Sequence, residues 1–222
     1  MPAPFAVLWD MDGVLVDSAP YHFRAWKETF VAEGVSFDEA AFRRTFGQRN
    51  DTIITDVLGP DVPPERVAAL GDAKEARYRA LIALEGITPL PGAPTWLERL
   101  HARGIPQAIA SSAPRANVEA VLRALRWERF FQAIVSAEDV ARGKPDPASF
   151  LLAAQRLRMP PQCCIVIEDA PAGIEAACRA GMRSIALSTT HPPHALALAD
   201  CVVPSLESLP LDALDRLIEP QR

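Results

Sequence analysis

Two aspartates one residue apart, Asp10 and Asp12, follow the apolar run Phe5-Ala6-Val7-Leu8-Trp9 and precede Gly13. The run is short, uncharged and closed by glycine, so it predicts a buried strand that carries both acids to its C-terminal end. Residues two apart on a strand share a face, so this spacing would set the two carboxylates side by side. Crowded carboxylates repel each other and are costly to desolvate, and a divalent cation would remove much of that cost. A strand end running into a solvated turn is the plainer alternative for the same residues.

Three further segments carry groups of matching chemistry. Ser111 and Ser112 end the strand-like run 107–110, and Glu168 and Asp169 end the run 163–167. Lys144 lies in Arg142-Gly143-Lys144-Pro145, between the run 133–136 and a helix expected over 146–158. Carboxylates for a cation and for attack, hydroxyl donors and a lysine for phosphoryl oxygens form an inventory suited to phosphoryl transfer. Each segment also has a bland alternative. The serines could cap the helix expected over 114–125. Lys144 could be a solvated loop lysine, the usual fate of lysine. Glu168-Asp169 could cap the helix that follows Pro171.

The elements that must position these groups show two regimes. Over about 18–84 the pattern is almost wholly helical. Residues 19–32 place Phe23, Trp26, Phe30 and Val31 at helical spacing. Asp38 is placed to cap a helix holding Ala41, Phe42 and Phe46, and Asn50 or Asp51 to cap one holding Ile53, Ile54, Val57 and Leu58. Gly59-Pro60 ends the latter, and Pro63-Pro64-Glu65 opens a longer helix. From Pro91 strands and helices alternate, with strands expected at 107–110, 133–136, 163–167, 184–187 and 201–203. That alternation implies an α/β fold: a doubly wound, Rossmann-like parallel sheet with helices on both faces. The helical block interrupts it as an inserted cap. The core is expected over 1–16 and 88–222 and the cap over 17–87, with hinges near 17–21 and 84–91. In open parallel sheets the functional crevice lies beyond the C-terminal ends of the strands, where all four segments fall.

Composition narrows the classes. The chain has 222 residues and is 49% hydrophobic, enough for a large domain or a core with a smaller companion. A net charge of −5 and the lack of a long basic run argue against a nucleic-acid partner. No apolar stretch is long enough to span a bilayer, and Met1-Pro2-Ala3-Pro4 lacks the charged and apolar parts of an export signal, so a cytoplasmic location is expected. The four cysteines, Cys163, Cys164, Cys178 and Cys201, show no C-x-x-C or zinc spacing. They are expected to be reduced, buried and structural, with Cys163 and Cys164 on opposite faces of a strand.

At these motifs the chain resembles the haloacid dehalogenase-like superfamily, over essentially 5–209. Within it, Tyr21-His22-Phe23-Arg24-Ala25-Trp26-Lys27, Arg49 and Lys74-Glu75-Ala76-Arg77-Tyr78 are similar to the beta-phosphoglucomutase and sugar-phosphate phosphatase branch. The resemblance implies that Asp10 is a nucleophile forming an aspartyl-phosphate. Asp12 would be the general acid/base and would lend its backbone carbonyl to Mg²⁺. Asp169 would ligate Mg²⁺, with Glu168 ligating or holding a metal-bound water. Ser111 would bond the transferring phosphoryl group, and Lys144 would offset its charge. His22, Arg49, Lys74, Ser112 and Arg115 would contact substrate, Arg49 by gripping a remote phosphate.

A small phosphorylated metabolite, with sugar phosphates foremost, is thus the expected substrate, turned over by a Mg²⁺-dependent, monomeric phosphatase. Beta-phosphoglucomutase is the alternative, in which a sugar hydroxyl replaces water. Against it, Ala113-Pro114-Arg115 stands where the mutases carry Ser-Lys-Asn. A binding or regulatory protein on the same fold is the competing class. The filled catalytic positions argue against it, and the presence of Asp12 argues against a dehalogenase.

Overall fold

The computed structural model describes residues 5–45 and 48–218. The chain divides into two compact units, Ser18–Ile87 and the combination of Met1–Asp17 with Thr88–Arg222.

The two-segment unit opens with β1 (Ala6–Trp9), whose four residues are all buried, as a central strand of a parallel sheet requires. The inserted unit is made of α1 (Ala19–Ala32), α2 (Glu39–Thr45), α3 (Asn50–Leu58) and α4 (Pro64–Glu85). After it come α5 (Ala93–Ala102), β2 (Gln107–Ala110), α6 (Arg115–Leu125), β3 (Ala133–Val135) and α7 (Ala148–Leu157). Then follow β4 (Cys164–Glu168), α8 (Pro171–Arg179), β5 (Arg183–Leu187), β6 (Cys201–Val203) and α9 (Ala213–Ile218).

The strands form one all-parallel sheet among the described residues, in the order β3-β2-β1-β4-β5-β6. The chain builds outward from β1 to β3, then crosses back to place β4 on the other side of β1. The order therefore reverses between β1 and β4, which is where a crevice opens in a doubly wound sheet. One face of the sheet buries Ala6, Leu8, Ala108, Ala110 and Val166 against Phe150, Ala153 and Ala154 of α7 and Ala176 and Ala177 of α8. Trp9, fully buried, keeps its indole N–H satisfied by donating to Gln107 Oε1 at 3.0 Å, and Gln107 in turn donates to the Leu97 carbonyl at 3.2 Å.

The helical unit has its own core of Trp26, Phe30, Phe37, Phe42, Ile53, Ile54 and Leu70. Trp26 and Phe30 stack at 5.1 Å between ring centroids, and Phe30 and Phe37 lie at 5.0 Å. Asp38 Oδ1 accepts the Ala41 N–H at 2.8 Å, so the expected cap is formed. Phe46 lies outside the described residues.

Four expectations are corrected. The cap of α3 is Arg49, not Asn50 or Asp51. Asn50 is already helical and sends its amide to Glu75 Oε1 at 2.8 Å, a tertiary partner that outcompetes a local one. α7 starts at Ala148 instead of Asp146, whose Oδ1 accepts the Ala148 N–H at 3.0 Å from just outside the helix. Cys163 ends a 3-10 turn before β4, so it does not share a strand with Cys164. All four cysteines are free, but only Cys164 is buried. Cys178 is exposed on α8, and Cys163 and Cys201 are half-buried.

Candidate active site

Register explains why the acids meet. Trp9 pairs with Ile167 and with Ile109, so Asp10 leaves β1 level with Glu168 on β4, and Ser111 leaves β2 one step further. The Asp10 N–H donates to the Ile167 carbonyl at 3.0 Å, extending the ladder to the acid itself. Beyond it the chain turns at once. Gly13 N–H reaches the Val16 carbonyl at 3.0 Å, and Leu15 N–H the Met11 carbonyl at 2.9 Å. Gly13 has φ +79, and a Cβ there would lie 2.8 Å from Asp169 Cγ. Glycine is thus required twice over, by backbone and by close approach. Asp12 sits in this turn, bridged to Val16, and is half-buried.

Asp10, Glu168 and Asp169 each offer a carboxylate oxygen, and the three oxygens lie within 4.8 Å of one another. All three residues are buried. Lys144 reaches into this cluster and donates to Asp10 Oδ1 and to Glu168 Oε1, both at 2.6 Å. Its side chain is 8% exposed, and its ammonium lies 4.9 Å from the Phe150 ring centroid. The solvated-lysine alternative is therefore overturned: the Asp10 and Glu168 carboxylates draw the ammonium inward. Glu168 Oε2 accepts the N–H groups of Asp169 and Ala170 at 2.7 and 2.8 Å, at the entrance to α8. A Cβ at Gly173 would lie 2.6 Å from Glu168 Cγ, so glycine is what lets α8 sit against this side chain.

The electrostatics follow from burial. Burial raises Asp10 most; Lys144 pulls it down, Glu168 and Asp12 push it up, and the carboxyl settles at about 7. Asp169 is held well above its ordinary range, by burial first and then by Glu168 and Asp10. Burial opposes the charge on Lys144, but Asp10 and Glu168 outweigh it and hold the ammonium above its ordinary range. Two raised carboxyls beside a third, with hard oxygen donors converging, fit a small divalent cation such as Mg²⁺.

Ser111 is 3% exposed at the end of β2, and its Oγ accepts the Ala113 N–H at 3.0 Å. It bonds a turn, while the residue capping α6 is Pro114. Ser112 is exposed. Arg115 is committed to the protein: its guanidinium donates to Asp139 Oδ2 at 2.7 Å and to the Ile134 carbonyl at 3.1 Å. In the helical unit His22 and Lys74 come together, Lys74 Nζ lying 3.0 Å from His22 Nδ1 and 2.8 Å from Glu75 Oε1. His22 stacks on Tyr78 at 4.1 Å. Arg49 is exposed and pairs loosely with Asp51 at 3.4 Å.

Sequence reasoning missed Thr189, Thr190 and His191. Thr189 Oγ1 donates to the Gly13 carbonyl at 2.5 Å, and Thr190 Oγ1 donates to Asp169 Oδ2. The signal was available, because Ser188-Thr189-Thr190-His191 directly follows β5 at the same sheet edge.

A family model described as haloacid dehalogenase-like hydrolase matches residues 6–181, most of the chain. The chain belongs to this family. Among its relatives, validoxylamine A 7'-phosphate phosphatase of Streptomyces hygroscopicus subsp. limoneus is 35% identical over 199 residues, covering 90% of this chain and 92% of the relative. Beta-phosphoglucomutase of Bacillus subtilis (strain 168) is 35% identical over 217 residues, 94% of this chain and 93% of that protein. The solved structure of CbbY from Rhodobacter sphaeroides in complex with phosphate superposes with a TM-score of 0.86 at 31% identity, covering 95% of this chain and 98% of CbbY. The fold described above is thus that of a haloacid dehalogenase-like hydrolase.

Proposed function

We propose that this protein is a Mg²⁺-dependent phosphatase of small phosphorylated metabolites, sugar phosphates foremost, working through an aspartyl-phosphate on Asp10. The observation that carries the proposal is the buried Asp10 carboxylate, gripped by Lys144 at 2.6 Å beside Glu168 and Asp169 at the point where strand order reverses.

Asp10, Asp169 and the backbone carbonyl of Asp12 would hold Mg²⁺, with Glu168 behind them. The ion, when bound, supplies positive charge that screens the anionic substrate from the acids and stabilises the transferring phosphoryl group. Lys144 adds a second, fixed charge on the same oxygens, and Ser111 a hydroxyl. An Asp10 oxygen attacks phosphorus as the bond to the leaving oxygen breaks, and Asp12 gives that oxygen its proton. Asp12, now a carboxylate, takes a proton from water as the water attacks phosphorus. Inorganic phosphate leaves and Asp10 is regenerated. One residue suffices for both proton transfers, because the second step runs the first in reverse.

The mutase alternative draws on the 35% identity to beta-phosphoglucomutase. Favouring water, Ala113 and Pro114 bring no side-chain donor, and Arg115, the nearest substitute, is spent on Asp139 and Ile134. In the helical unit Arg49, with its exposed guanidinium, is the proposed grip for a remote phosphate, and His22 and Lys74 are proposed to contact substrate. A monomeric, cytoplasmic enzyme is part of this proposal. Among the described residues, no helix is long and apolar enough to cross a membrane. The test is turnover of a sugar-phosphate panel with Mg²⁺, following free phosphate and isomerised product separately. Phosphate released in step with substrate loss is expected. Stoichiometric glucose 6-phosphate from beta-glucose 1-phosphate, with little free phosphate, would overturn it.

A further inference from the structure

The two acid-bearing ends of the site are tied together by a segment with no assigned role. Thr189 Oγ1 donates to the Gly13 carbonyl, in the turn that follows Asp10 and Asp12. Its neighbour Thr190 donates to Oδ2 of Asp169 on the other side of the cluster. His191 Nδ1 completes the arrangement, 3.1 Å from the Asp169 carbonyl and 2.9 Å from Thr190 Oγ1. With its proton on Nδ1, the imidazole donates to either oxygen, which leaves the Thr190 proton for the carboxylate. Thr190 Cγ2 also lies on the Gly13 side, where a Cβ would approach it to 2.9 Å. Backbone hydrogen bonds anchor the segment at the sheet, since Ser188 N–H donates to the Val203 carbonyl at 2.9 Å.

We propose that Thr190 is a positioning residue for the metal site: by occupying Asp169 Oδ2 it turns Oδ1 towards the cation and holds Asp169 to a single ligating oxygen. Thr189 does the matching work on the turn that carries Asp12. A ligating carboxylate free to rotate can offer both oxygens to a larger ion. One held by a hydroxyl favours the small ion with the stricter geometry. The same clasp therefore sharpens the preference for Mg²⁺ over Ca²⁺. The inference rests on the Mg²⁺ site proposed above.

The experiment measures Mg²⁺ and Ca²⁺ binding to the full chain by calorimetric titration, independently of turnover. It compares wild type, Thr190→Val and Thr190→Ser. Thr190→Val keeps the shape and removes the hydroxyl; it should weaken Mg²⁺ about 10- to 100-fold, the usual effect of losing a partner of a metal ligand. Ca²⁺ should weaken less, so the Mg²⁺/Ca²⁺ preference narrows, and Thr190→Ser should restore both. At saturating Mg²⁺ the turnover of Thr190→Val should recover most of its wild-type value, with the loss confined to the Mg²⁺ concentration required. Circular dichroism and the melting temperature in EDTA check that the variants fold. A folded Thr190→Val that binds both ions as wild type does overturns this inference and leaves the metal site standing. So does a Thr190→Ser that rescues nothing. A wild-type protein that binds no Mg²⁺ overturns the site, and this inference with it.

Discussion

Replacing Lys144 by Met keeps a long side chain in place and removes only the charge. In the native protein that ammonium donates at 2.6 Å to both Asp10 and Glu168, whose side chains are 11% and 2% exposed. Without it, two buried carboxylates and Asp169 face one another across less than 4.8 Å. Removing one partner of a buried ion pair costs about 3–5 kcal/mol, most of it the penalty of the stranded charge. Lys144 serves two carboxylates, so the upper part of that range is expected, set against roughly 5–15 kcal/mol for a whole domain. The assay is equilibrium urea denaturation in EDTA at pH 7.5. At a slope near 2 kcal/mol per molar urea, the midpoint should fall by about 2–2.5 M. Adding Glu168→Gln to Lys144→Met should recover part of the loss, because one stranded charge is gone. Saturating Mg²⁺ should do the same. A midpoint within about 0.3 M of wild type, roughly 0.6 kcal/mol at that slope, would refute the claim that Lys144 holds these acids together. Turnover of the same variant in Mg²⁺ should drop by about 10²–10³-fold, the scale for losing one preorganised charge on the transition state.

Asp10→Asn removes the attacking oxygen's charge, and turnover of any phosphate ester should fall by about a thousandfold or more. Activity should vanish in EDTA and return with Mg²⁺, and excess Ca²⁺ should inhibit, because it asks for more ligands in looser geometry; full turnover by metal-free protein would remove the metal from the site. With Asp12→Asn, sugar phosphates should suffer far more than an aryl phosphate that leaves without a proton, and equal losses would make Asp12 structural. Asp139 tests an electrostatic clamp away from the acids. Its bond from Arg156, with those from Ser136 and the charge of Arg115, holds its carboxyl well below the ordinary 3.8. A depressed pKa contributes stability above the unfolded value that is lost as pH falls through the folded one. Asp139→Asn should therefore destabilise by roughly 1–2 kcal/mol at pH 7, discounted for the half-exposed arginines, and by progressively less below pH 4. A difference that stays constant down to pH 2 would refute the clamp.

The sheet was legible because its chemistry is local. A buried parallel strand needs an unbroken apolar run, and 5–9, 108–110 and 163–167 each are one. Once the strands are placed, their C-terminal ends name the acids, the serine and the lysine without further information. What escaped were partners chosen across long separations. Asn50 is a good cap by type, yet it answers Glu75, 25 residues on. Thr189 meets Gly13 across 176 residues, and a threonine after a strand looks like any turn residue until that approach is known. Cys178 was expected inside because cysteine usually is, but it falls on the outer face of α8, and the helical phase outweighs residue type there.

The adjacent acids Glu168 and Asp169 show the limit most clearly, since residue type alone gives them equal claim to a cation. The structure separates them by what each oxygen already accepts. Glu168 takes Lys144 on one oxygen and two backbone amides at the mouth of α8 on the other, so three of about four lone-pair sites are filled. Its remaining capacity suits a metal-bound water better than the ion itself. Asp169 accepts Thr190 on Oδ2, which leaves Oδ1 for the proposed cation. The division follows from strand geometry. Glu168 is the last residue of β4, level with Asp10 and facing Lys144, while Asp169 has left the ladder and turned towards Gly13. Exchanging the two would strand the shorter side chain away from Lys144 and push the longer one into Gly13, so Glu168→Asp combined with Asp169→Glu should abolish activity although composition and charge are unchanged. A swapped protein that retained wild-type turnover would show that the two positions are chemically equivalent after all.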